Sequence, residues 1–189
     1  MVALTSLWLP ILLSAVAVFL VSSIVHMALR YHNADFGRLA SEDDIMRAIG
    51  PNVVPGAYMF PYPQGGMAAM KDPAFVEKRT QGPAGLLTVF PRGMPGIGGP
   101  LVKWFVFSII VSLFAAYLAG RALAPGALGG DVFRFTVTVS FLAYGMAHVS
   151  DSIWWGRAWS VTFKNLFDAL VYALVTAGIF GWLWPGASA

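Results

Sequence analysis

The chain has 189 residues, of which 58% are hydrophobic and 11% charged. That is under half the roughly 25% charge of soluble domains, and a soluble fold of this size could not bury so much apolar surface. Cysteine is absent, which excludes disulfides and thiolate metal sites. The net charge of +3 comes from basic residues beside apolar segments, a pattern suited to the lipid bilayer and its anionic headgroups. The aromatics lie in apolar stretches rather than among basic residues, which argues against nucleic acid as a partner.

A helix needs about 20 apolar residues to cross the hydrocarbon core, and four segments qualify. Residues 7–29 form the first. They follow no basic stretch, exceed the length of a signal-peptide apolar region and lead to no small-residue cleavage site, so a retained span is expected. Residues 101–123 form the second, with Lys103 at the entrance and Arg121 near the exit. Residues 132–155 form the third, with Arg134 one turn inside and able to snorkel outward. Residues 165–184 form the fourth, between Lys164 and Pro185.

Between the first two spans lies a long loop, residues 30–100, with nine of the twelve prolines. Two short amphipathic helices are expected in it. Ser41 can cap one that runs to Ile49 and stops at Gly50-Pro51, with Ile45, Met46 and Ile49 on its apolar face. Asp72 can cap the other, with Pro73 at its first position and Gly82-Pro83 as its stop. Residues 51–63 and 91–100 read as extended coil. Tyr58, Phe60 and Tyr62 alternate there, so extended backbone would put them on one face, packed on the helices or laid on lipid or a partner. The expected architecture is an all-α integral membrane protein: one membrane domain over residues 1–189, a four-helix bundle with this Pro-rich segment as a cytoplasmic lid.

Charge sets the expected orientation. Ten Lys and Arg fall on the side of the long loop and only Arg121 and Arg134 on the other. This places the loop in the cytoplasm and both termini outside. Trp154, Trp155 and Trp159 would mark the inner interface, and Trp182 and Trp184 the outer one. Ser108, Ser112, Ala116 and Gly120 recur every four residues in the second span, as do Ala169, Ala173, Ala177 and Gly181 in the fourth. Such rows let helix backbones approach closely.

Ionisable groups inside a span are costly and call for a reason. His26, Asp151 and Asp168 each lie four residues from a span end, about 6 Å inside, with His148 one turn deeper. All four therefore fall at the cytoplasmic end of three helices. Two imidazoles and two carboxylates could bind a divalent metal or relay protons. Alternatively, Asp168 pairs with Lys164 one turn away, Asp151 reaches Arg157, and each histidine bonds a neighbouring helix. His32 and Asp35, three apart just after the first span, could add two ligands or simply form a solvated cap. No phosphate-binding loop, metalloprotease or hydrolase signature occurs.

The segments "PILLSAVAVFLVSSIVHM", "YHNADF" with "SEDDIMRAI", "VVPGAYMFP" and "FDALVYALVTAGIFGWLWP" together resemble a family of small bacterial four-helix inner-membrane proteins with no established activity. The resemblance implies a bacterial inner-membrane location and one undivided unit, and brings no catalytic residues. A non-enzymatic subunit, scaffold or regulator is the first functional expectation. A metal- or proton-handling site at the cytoplasmic end is the second, and an oligomeric channel or transporter, from a homo-oligomer or with a membrane partner, is the third.

Overall fold

A computed structural model describes residues 1–50, 53–94 and 96–186 of the chain. They fall into two compact units, one of Met1–Phe36 with Gly96–Ala189 and one of Gly37–Pro95.

The first unit is helical and contains four helices long and apolar enough to cross a membrane: Leu4–Ala28, Gly98–Ala122, Gly129–Trp155 and Trp159–Trp182. In hydrocarbon every backbone N–H and C=O must be satisfied within the segment, so such sequences have little choice but helix. The first span is not one regular helix. A 3-10 turn, Leu4–Leu7, leads into α1 (Trp8–Ser23), and a π turn, Ile24–Ala28, follows. That turn closes with Leu29 N–H donating to the Ile24 carbonyl at 3.1 Å. Leu29 then adopts extended backbone (φ −87°, ψ 107°), which breaks the helix and allows a separate 3-10 turn, Arg30–Ala34.

The second unit holds α2 (Glu42–Ile49), strand β1 (Gly56–Phe60), a 3-10 turn (Gly66–Lys71), α3 (Pro73–Gln81) and strand β2 (Gly85–Val89). The two short helices lie where expected. Ser41 makes no side-chain cap, whereas Asp72 accepts from the Ala74 N–H at 3.3 Å. The coil expected over 51–63 is partly strand: β1 pairs antiparallel with β2, with Tyr58 opposite Leu87. Main-chain pairing across an intervening helix leaves no local mark in the sequence. Pro51, which belongs to the expected stop of α2 and to that coil, and Pro95, within the expected coil 91–100, lie outside the described residues. No described residue of this unit is buried.

The remaining spans are α4 (Gly98–Ala122), α5 (Gly129–Trp155) and α6 (Trp159–Trp182). Helix α6 starts six residues earlier than expected. Gly156 ends α5 in the left-handed region (φ 68°) and Ala158 is already extended, so the turn is shorter than hydropathy suggested. Lys164 is therefore a residue of α6, not of a loop. Helix α1 packs on α4 and α6, and α5 packs on α4 and α6, which closes a ring of four. The small-residue rows face inward: Ser108, Ser112, Ala116, Ala173 and Ala177 have no exposed surface. A Cβ on Gly145 would stand 3.0 Å from that of Ala169, so α5 and α6 are in close approach there. Val2 N–H donates to the Gly120 carbonyl at 2.7 Å, which ties the chain start to the end of α4. Large apolar side chains such as Leu20, Val106, Leu142 and Leu174 point outward, where a bilayer would cover them. Trp182 is 75% exposed, but Trp184 is buried and donates its indole N–H to the Ala124 carbonyl at 3.0 Å, so it serves the core instead of the interface.

Candidate functional site

The break at Leu29 gives the site its form. Because the chain leaves the helix axis there, the turn Arg30–Ala34 places Tyr31 and His32 against α6, where a continued helix would have carried them away. The Tyr31 hydroxyl donates to one carboxylate oxygen of Asp168, in a close contact. His32 Nε2 lies 2.8 Å from the other oxygen, and His32 Nδ1 lies 2.6 Å from Asp35 Oδ2. Lys164 donates to Asp35 Oδ1 at 2.6 Å and to the Tyr31 carbonyl at 2.7 Å. Asp168 and Asp35 are nearly enclosed, with side chains 5% and 8% exposed, and His32 is 15% exposed.

A neutral imidazole carries one N–H and one bare nitrogen, yet both nitrogens of His32 face carboxylate oxygens. One contact is repulsive unless a second cation stands in it: a further proton, or a metal ion between Nε2 and Asp168. Asp35 lies outside the spans, and Lys164 donating to it holds its carboxyl below the ordinary value, against the opposing effect of desolvation and with help from His32. Desolvation, reinforced by the bond to Asp168, pushes the Tyr31 phenol up. Asp35 is therefore a firm carboxylate and Tyr31 a firm donor at neutral pH.

His26 lies in the π turn. Its ring stacks on that of His32 with centroids 4.7 Å apart, and its Nε2 lies 3.3 Å from the Tyr172 hydroxyl. Single π turns in helices are frequent at functional sites. His26, His32 and Asp168 each offer a ligand atom, and the three atoms all lie within 4.8 Å of one another.

The four residues singled out in the sequence thus divide. His26 and Asp168 share this cluster. His148 lines the same cleft of about 370 Å³ as His26 and Asp168, but its Nδ1 meets the Asn165 amide at 3.3 Å. Asp151 lies 4.0 Å from His148 and 3.9 Å from Arg157, toward the outside. Lys164 does not pair with Asp168, although one helical turn separates them; it bonds Asp35 instead. Tyr172 carries no sequence signal as a site residue, and Lys164 carries one only as a partner of Asp168. The His32–Asp35 pair does carry one, its three-residue spacing.

No family model, no curated protein and no solved structure matches the chain.

Proposed function

We propose that this multi-pass membrane protein is non-enzymatic and holds a divalent cation at one end of its helix bundle, on His26, His32 and Asp168. The observation that carries the reading is His32 itself. Its Nδ1 is held by Asp35 at 2.6 Å, the carboxylate–histidine arrangement that fixes the tautomer of a metal-ligating imidazole and aims Nε2 at the metal. Asp168 and His26 then complete a set of two nitrogens and one oxygen. Ligand atoms on a tetrahedral ion with ~2.0 Å bonds stand about 3.3 Å apart. The His32–Asp168 contact would open slightly from 2.8 Å, and the widest pair would close from within 4.8 Å. Borderline ligands of this kind suit zinc or a neighbouring first-row metal.

Elemental analysis of purified protein, followed by titration of the chelator-treated protein with Co2+, tests this. One equivalent per chain with the visible absorption of a tetrahedral site is expected, lost in His32→Gln and Asp168→Asn and retained in Asp151→Asn. No binding in the parent protein would leave the cluster as an interhelical latch, a reading favoured by the fact that both nitrogens of His32 and both oxygens of Asp168 already have protein partners.

We also propose a bacterial inner-membrane location with both termini periplasmic. The ten-to-two bias of Lys and Arg toward the side of residues 30–100 supports the orientation. The unit Gly37–Pro95 has no buried described residue and exposes Met46, Tyr62, Met67 and Phe90. It is joined at both ends to membrane spans, and anionic lipid is the partner we assign to it. A reporter active only in the periplasm should work when fused to the C-terminus and fail at Gly66; activity at Gly66 would overturn the orientation.

A further inference from the structure

The inner face of the bundle carries more hydroxyls than a lipid-embedded core needs. Most are satisfied within their own helix or by a neighbour. Ser22 donates to the Phe19 carbonyl at 2.9 Å and accepts from the Trp104 indole at 2.8 Å. Ser108, Thr136 and Thr176 donate to carbonyls one turn back at 3.0, 2.8 and 2.9 Å. Among the described residues, three buried serine hydroxyls have no partner, those of Ser14, Ser112 and Ser140, and a fourth hydroxyl, that of Tyr144, has only the Ser108 hydroxyl beside it. The three serines have no exposed surface and Tyr144 is 6% exposed. Orphaned hydroxyls at this depth are unfavourable, and the serines forgo even the carbonyl bond open to any helical serine.

Their placement is not scattered. The bond from Trp104 to Ser22 sets α1 against α4, antiparallel. Counting equal steps from that pair brings Ser14 level with Ser112, about 12 Å further into the bundle. The Tyr144 ring packs on Trp104 and Phe107, with centroids 6.0 and 5.8 Å apart, which sets α5 against α4. One turn beyond that contact on each helix come Ser140 and the segment from Ser108 to Ser112. Three orphaned hydroxyls from three helices therefore lie within about one turn of one level. The fourth, Tyr144, stands between that level and the cleft of about 370 Å³ that it lines with His26, His148 and Asp168. Past the serine level the core turns apolar: Leu7, Val132 and Phe180 have no exposed surface and pack with Ile11, Ala119 and Trp184.

We propose that the bundle encloses a hydrated recess, open at the cleft and closed at the other end. Water passes Tyr144, is held by Ser14, Ser112 and Ser140, and stops at the Leu7–Val132–Phe180 plug. Three polar partners are the usual complement of a buried water. The recess carries water and protons into the depth of the membrane from one face only. It stands independently of any metal on His32, since none of its four hydroxyls belongs to that cluster.

The chain has no cysteine, so each introduced thiol is unique. Full-length Ser112→Cys and Ser140→Cys, reconstituted in vesicles, should lose their free thiol to Ag+, a thiol-seeking ion of near-water size. Ala119→Cys in the plug and Leu142→Cys on the outer surface should keep theirs. Reaction at the serine positions no faster than at Ala119 would overturn the proposal. A second measurement covers variants that fold poorly. In a dry core, Ser112→Ala and Ser140→Ala remove an unpaired hydroxyl and should raise thermal stability in detergent. In a hydrated recess they remove a water ligand and should lower it. A rise in both alanine variants would overturn the recess whatever the thiols do.

Discussion

Asp168→Asn tests the cluster where its energy is concentrated. Asp168 is 3% exposed; one carboxylate oxygen accepts from the Tyr31 hydroxyl, and the other lies 2.8 Å from His32 Nε2, which donates to it when His32 carries the further proton. Hydrogen bonds to a charged group contribute about 1.5–3 kcal/mol each. Asparagine keeps the shape and one acceptor oxygen, so the Tyr31 bond survives in neutral form, while the charge-assisted contact to His32 is lost. We expect a loss of about 2 kcal/mol for the metal-free protein, the middle of that range for a single contact. Equilibrium unfolding in mixed micelles with rising SDS reads it. The decisive quantity is the coupling with His32→Gln. Two side chains in one network couple by roughly 0.5–3 kcal/mol, and a pair only 15% and 5% exposed should fall in the upper half. If the two losses add to within about 0.5 kcal/mol, the two side chains act independently and the cluster described here is not a unit.

Ala173 has no exposed surface whereas Leu174 is 43% exposed, so Ala173→Leu should cost about 1–3 kcal/mol by overpacking and Leu174→Ala within about 0.5; equal losses in the same SDS titration would remove the case for a close seam. A Cβ on Gly120 would meet the Val2 carbonyl oxygen at 2.9 Å, so Gly120→Val should destabilise the bundle and speed amide exchange at Val2, and unchanged exchange would count against the tie between the chain start and α4. The carboxyl of Asp35 is held low chiefly by Lys164. A depressed carboxyl stabilises the fold above its unfolded value, near 3.9, and loses that contribution as pH falls through the lower folded value. Chelator-treated protein should therefore lose stability on acidification below about pH 4, with a shallower loss in Asp35→Asn; superimposed acid limbs would refute the assignment.

The four spans could be read from composition because hydrocarbon leaves a long apolar segment one way to satisfy its backbone. The small-residue rows were legible for a related reason: a period of four on a helix is one stripe, and a stripe of Ser, Ala and Gly has only close packing to offer. The Asp72 cap of α3 is likewise local, decided within three residues. Depth can be estimated as well: of the four residues expected at one end, His26, His148 and Asp168 line one cleft and Asp151 does not.

Depth does not fix rotation about the helix axis, and rotation decides partners. Lys164 and Asp168 are one turn apart, yet the chain after α1 comes between them, so Lys164 takes Asp35 and Asp168 takes Tyr31 and His32. That arrangement depends on the π turn and on extended Leu29, two backbone choices that no residue type in 24–29 demands. The pairing of β1 with β2 is equally non-local, and the burial of Trp184 depends on a carbonyl contributed from residue 124. Sequence alone thus determined what hydrocarbon imposes on each segment separately: its length, its helicity and the depth of its polar groups. Which polar groups meet was decided only when the segments packed, because the turn of the chain at Leu29 and the facing of α6 are set by contacts more than 130 residues apart in sequence.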